Sequence, residues 1–132
     1  MSGQGTGGLP TGLVTDPAYW AHKPSAWHPE CPARLTAVLD GITKAVPGEA
    51  LLRLAPRPAT LEEIYRCHPP QYVELVREEV EAGFGTLSTG DTDIGRRSYE
   101  VALLAAGGRP ALCLADKPEL ERLFIEFAEG RA

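Results

Sequence analysis

An α/β fold on parallel strands is predicted for this chain, as a partial three-layer αβα arrangement with few strands. Three observations predict it. Two short apolar runs, Thr11 to Asp16 and Leu51 to Pro56, each end at a proline or just before one. A helix-period segment lies between them and more follow, so strands alternate with helices. Two or three strands are countable, which is a thin sheet for a complete fold of this type.

Residues 1–10 are expected to form a flexible Gly-rich tail. Gly3, Gly5 and Gly8 match GxGxxG formally, but that pattern binds phosphate after a strand and at the opening of a helix, and here it precedes a strand. The first strand, Thr11 to Asp16, ends at the Asp16-Pro17 turn signal. A loop from Ala18 to Pro29 follows. Its Tyr19, His22, Trp27 and His28 are candidates for lining a pocket, because the loop after a first strand in α/β proteins commonly borders the ligand crevice.

A helix is predicted to start near Pro32, since proline suits a first helical turn. Leu35, Val38, Leu39, Ile42 and Val46 recur at three- and four-residue spacing, so one face is expected to be buried, and Pro47-Gly48 stops it. Leu51 to Pro56 reads as a second strand, with an apolar run consistent with cover on both faces. Thr60 with Glu63 forms a capping box that opens a short helix ending near Cys67-His68, where His68 is expected to order the helix end beside Pro69. The next helix runs from about Pro70 to Ala82, with Gly83 as its stop. After a loop from Gly85 to Gly95, Ser98 caps a helix that is expected to end at Gly107-Gly108. Ala111 to Ala115 is read as a brief third strand. Asp116 and Glu119 cap a last helix that carries Leu120, Leu123, Phe124 and Phe127 on one face.

With 132 residues, the chain has the size of one domain. A net charge of −5 argues against a nucleic-acid partner, which would need a basic face. The longest apolar run, Val101 to Ala106, is too short to span a bilayer, and the amino terminus lacks the charged and apolar parts of a signal peptide. Three cysteines, Cys31, Cys67 and Cys113, at unrelated spacings fit reduced thiols in a cytoplasmic protein.

Three segments, in order, resemble the histone deacetylase family, especially its bacterial deacetylase-like and acetoin-utilisation members. The first is Trp27-His28-Pro29-Glu30-Cys31-Pro32-Ala33-Arg34-Leu35. The second runs from Pro56-Arg57-Pro58-Ala59-Thr60 to Cys67-His68-Pro69-Pro70-Gln71-Tyr72-Val73. The third is Asp91-Thr92 with Ser98-Tyr99-Glu100-Val101-Ala102-Leu103-Leu104-Ala105-Ala106-Gly107-Gly108. The resemblance covers about residues 11–108, as the N-terminal part of such a domain, and leaves 109–132 as a divergent C-terminal segment.

The resemblance implies an arginase/deacetylase-type fold and zinc-dependent removal of acyl groups from lysine or polyamine-type amines. It places Arg34 at the arginine lining the family's internal channel, where an anionic product such as acetate would pair with it. The alternative for Arg34 is a helix-start arginine that packs its stem and bonds nearby carbonyls. Asp91 falls at the family's substrate-rim aspartate, or is an ordinary turn residue. The family's metal ligands, its His-His pair and its carbonyl-polarising Tyr lie beyond the matched part. This sequence contains no Asp-x-His and no His-His. No catalytic residue, metal ligand or cofactor is therefore assigned to the chain alone, although zinc serves the full-length family. His28 and Cys31 with Cys67 and His68 offer two His and two Cys to a zinc ion, but loop histidines and small buried thiols are the expected reading.

Two functional readings follow. The chain is expected to be the N-terminal portion of a deacetylase-like amidohydrolase, truncated and inactive alone, which meets an acetylated amine only when completed by missing segments. The alternative is a non-catalytic module that binds a small anion or self-associates.

Overall fold

The computed structural model describes residues 11–24 and 27–115. Strand β1 (Thr11–Val14) is followed by a 3-10 turn at Pro17–Ala21, helix α1 (Pro32–Ala45) and strand β2 (Leu51–Leu54). Helices α2 (Leu61–Tyr65), α3 (Pro70–Glu81) and α4 (Ser98–Ala115) complete the order. The two strands pair in parallel, Thr11 opposite Leu51 and Val14 opposite Leu54, as the alternation of strand and helix predicts. The chain is thus α/β among its described residues.

Local chemistry accounts for the element ends. Asp16 accepts from the Ala18 N–H at 2.8 Å and so starts the 3-10 turn, within what the sequence reads as loop. The Thr60 capping box forms: Thr60 Oγ1 accepts from the Glu63 N–H at 3.2 Å, and Glu63 accepts from the Thr60 N–H at 2.8 Å. Arg57 donates to both Glu63 oxygens, at 2.8 and 2.6 Å. Those hydrogen bonds from Arg57 hold the Glu63 carboxyl at about 2, well below its usual range. Helix α3 ends at Gly83, whose φ of 81° suits a residue without a Cβ. There the Gly83 N–H donates to Val80 O and the Phe84 N–H to Glu79 O, the paired bonds of a Schellman cap.

Four expectations need correction. Helix α4 does not stop at Gly107-Gly108 but runs to Ala115, so Ala111 to Ala115 is helix rather than a third strand. The glycines serve close packing: a Cβ on Gly107 would lie 1.8 Å from Arg57 O, and one on Gly108 2.7 Å from Val14 Cγ1. The apolar stripe of α1 has no buried residue, and Val38 is 58% exposed. Strand β2 is not covered on both faces among the described residues, since Leu52 and Arg53 are exposed. The tail at 1–10 and the last predicted helix lie outside the described residues.

The core sits where α3, α4 and the 85–95 loop meet. Val80, Leu87 and Ile94 are buried together, with Val76 and Tyr99 against them. The loop is folded back on itself by Leu87 N–H to Thr92 O and Ile94 N–H to Gly85 O, both 2.9 Å. Ser88 adds bonds from its amide and its hydroxyl to the Glu79 carboxylate.

Candidate functional site: an apolar cleft with a polar mouth

A cleft of about 810 Å³ opens between α1, α2, α3 and α4. Its walls are apolar: Leu35 and Val38 from α1, Ile64 from α2, Val73 and Val76 from α3, Val101 from α4. The polar lining includes His22, Glu30, Arg34, His68, Asp93 and Ser98. That volume, with mostly apolar walls and a few convergent polar groups, falls within the range of small-molecule sites, about 300–1,000 Å³.

Three sequence candidates, Tyr19, His22 and Arg34, meet at this cleft, and three do not. Tyr19 lies near Gly108, and burial first, then the Asp16 charge, pushes its phenol above the usual range. Arg34 is exposed on the lining, and no carboxylate lies within ion-pair distance of it among the described residues. Trp27 stands 95% exposed, away from the lining. His28 is used locally, where its Nδ1 accepts from the Glu30 N–H at 3.1 Å. Asp91 is exposed near the tip of the 85–95 loop, while its neighbours Thr92 and Asp93 reach the cleft.

Ser98 is a cleft residue that its reading as a helix cap does not disclose. Its Oγ lies 2.7 Å from His22 Nδ1 and accepts from the Gly95 N–H at 2.7 Å. The Ser98 hydroxyl hydrogen can then go to His22 Nδ1, and a neutral ring with its proton on Nε2 turns that proton toward Glu30, 3.6 Å away. A tight backbone approach supports this clasp: a Cβ on Gly95 would lie 2.5 Å from Lys23 O. His22 and Ser98 are 76 positions apart, so no local pattern pairs them. His68 stacks at a tilt against Tyr72, with ring centroids 5.6 Å apart.

The donor set can be tested for the zinc that the resemblance implies. A catalytic zinc takes three protein ligands and keeps one position open. Among the described residues no three His, Cys, Asp or Glu side chains converge, so the residues present do not fit such an ion. Cys31 and Cys67, expected as small buried thiols, are both exposed. No helix among the described residues is long and apolar enough to cross a membrane.

Comparison with known proteins follows the same outline. The profile of the histone deacetylase domain matches residues 28–116. A probable deacetylase of Archaeoglobus fulgidus is 34% identical over 118 residues, 86% of this chain and 32% of that protein. A histone deacetylase-like amidohydrolase of Pseudomonas aeruginosa is 40% identical over 96 residues, 73% of this chain and 23% of its own length. The human polyamine deacetylase HDAC10 is 46% identical over 88 residues, 60% of this chain and 13% of that protein. The chain thus spans less than a third of each of these curated relatives.

Proposed function

We propose that this chain, which belongs to the histone deacetylase family, supplies one part of an enzyme that removes acyl groups from lysine or polyamine-type amines. By itself it does not turn over substrate. The observation that carries this reading is Arg34 beside the apolar cleft wall. Amide hydrolysis releases a carboxylate on a short apolar tail, and a guanidinium recognises a carboxylate through paired hydrogen bonds. The apolar wall suits the acyl chain.

Cleavage needs an activated water and a stabilised oxyanion, which zinc supplies in this family. The sequence offers neither Asp-x-His nor His-His. The ligands are therefore contributed from outside these 132 residues, and the cleft is completed when those segments pack on it. A second reading, a non-catalytic module that binds small anions or self-associates, is favoured by the uncovered apolar stripe of α1.

The test assays the chain on an acetyl-lysine peptide and on an N-acetylated polyamine, with and without zinc. It is assayed alone and mixed with the part of the Pseudomonas aeruginosa amidohydrolase that has no counterpart here. No turnover is expected alone. Zinc-dependent turnover is expected in the mixture, lowered about tenfold or more by Arg34→Ala, the cost of one charged hydrogen bond. Chelator-sensitive turnover by the chain alone overturns this division of labour. A silent mixture, with acetate binding by the chain that needs Arg34, selects the module.

A further inference from the structure

We infer that the cleft binds medium-chain carboxylates, about six to eight carbons long, with the head on Arg34 and the tail along α1 toward α3. The acyl length deepens the deacylase reading, on which the choice of a carboxylate rests.

The head follows from charge. Arg34 is the only Lys or Arg on the lining among the described residues. No carboxylate lies within ion-pair distance of it there. The acids of the lining are engaged elsewhere: Glu30 lies 3.6 Å from His22 Nε2, and Asp93 accepts from the Thr86 hydroxyl at 3.0 Å. His22 is held by Ser98 and His68 stacks on Tyr72, which leaves the Arg34 guanidinium to meet an anion.

The tail follows from the walls. Arg34 and Val38 are four residues apart on α1, so they share a face and stand about 6 Å apart along its axis. Val38, 58% exposed, lines the cleft beside Leu35, and Ile64 and Val76 carry the apolar wall across to α2 and α3. Acetate has a single C–C bond of about 1.5 Å, and on Arg34 it stops short of Val38. A longer chain covers Val38 and then the facing wall, taking out of water apolar surface that the described residues leave bare. The space of about 810 Å³ has room for such a tail, whereas acetate would occupy a small part of it.

The full chain is titrated by calorimetry with acetate, butyrate, hexanoate and octanoate, below the concentrations at which octanoate aggregates. Affinity is expected to rise about two- to fourfold per methylene, the effect of partial to full burial of each CH₂, and so about 60-fold or more from acetate to octanoate. Octanamide, a neutral stand-in for the uncleaved acyl group, is expected to bind about tenfold more weakly than octanoate, and Arg34→Ala to lower octanoate to that level. Val38→Ser is expected to weaken octanoate about threefold and to leave acetate unchanged. Cys31 lines the cleft and Cys67 does not, so octanoate is expected to slow iodoacetamide alkylation of Cys31 and not of Cys67. Equal affinity for acetate and octanoate, octanamide as tight as octanoate, or equal slowing of the two thiols overturns the inference. So does the absence of octanoate binding. The deacylase reading fails separately: a silent mixture with octanoate still bound through Arg34 overturns that reading alone, and turnover by the mixture without octanoate binding overturns this inference alone.

Discussion

Replacing Gly107 by alanine is expected to destabilise the fold, although alanine is the better helix former. In a free helix interior the change favours the helix by about 1 kcal/mol. At Gly107 the new Cβ would meet Arg57 O at 1.8 Å and Ala59 N at 2.6 Å. Ordinary contact needs about 3.4 Å or more, so α4 or the 56–59 segment must move apart by more than 1 Å. That movement breaks the 2.8 Å bond from the Ala59 N–H to Leu103 O, worth about 1 kcal/mol. The remaining overpacking adds about 1–3 kcal/mol. Set against the helix gain, the net loss is about 1–3 kcal/mol. Gly41 in α1 is the control, because a Cβ there meets nothing within 4 Å. Gly41→Ala should raise the melting temperature by about 4 °C and Gly107→Ala lower it by about 4–12 °C, at about 4 °C per kcal/mol for a chain of this size. Thermal melts followed by far-UV circular dichroism on parent and both variants decide it. If Gly107→Ala melts within error of Gly41→Ala, the close approach of α4 to the strand exit is wrong.

Two further outcomes are expected. Glu63 has a folded pKa of about 2 against an ordinary 4.5, held down first by the Arg57 hydrogen bonds. Its contribution to stability is therefore fully present above pH 4.5 and is lost as pH falls toward 2; Glu63→Gln should flatten that part of a plot of urea midpoint against pH, and an unchanged slope would contradict the assignment. The His22–Ser98 bond predicts that Ser98→Ala and His22→Phe each cost about 1–2 kcal/mol in urea unfolding, while the double variant costs less than their sum. Additive losses would mean the two side chains do not interact.

Some of this architecture was legible from the chain because its causes are local. Thr60 and Glu63 cap a helix through atoms three residues apart, and Gly83 ends α3 because the positive φ there suits glycine. The parallel pairing of β1 and β2 follows from a helix intervening between two short apolar runs. What was misread depends on distant partners. Gly107 and Gly108 have the propensity of a helix stop, yet their lack of side chains admits the Arg57 backbone and Val14, and the helix continues past them. The stripe of α1 has the period of a buried face, but periodicity does not say whether anything lies opposite. In the cleft, Tyr19 and His22 follow from their place in the loop after β1 and Arg34 from the family resemblance, whereas Ser98 enters it from the far side of the sequence through its bond to His22.

The parallel register of Thr11 on Leu51 has a kinetic consequence. Every ladder bond of this sheet closes a loop that includes all of α1, at an entropic cost of about 3 kcal/mol for a loop of roughly forty residues. Helices α2 and α3, by contrast, assemble from neighbours in the chain. The sheet is thus expected to form after the helices and to open before them. Among the described residues β2 has one unpaired edge in the folded sheet and two while the sheet is open, so the folding chain offers strand exchange between copies one more edge than the folded one.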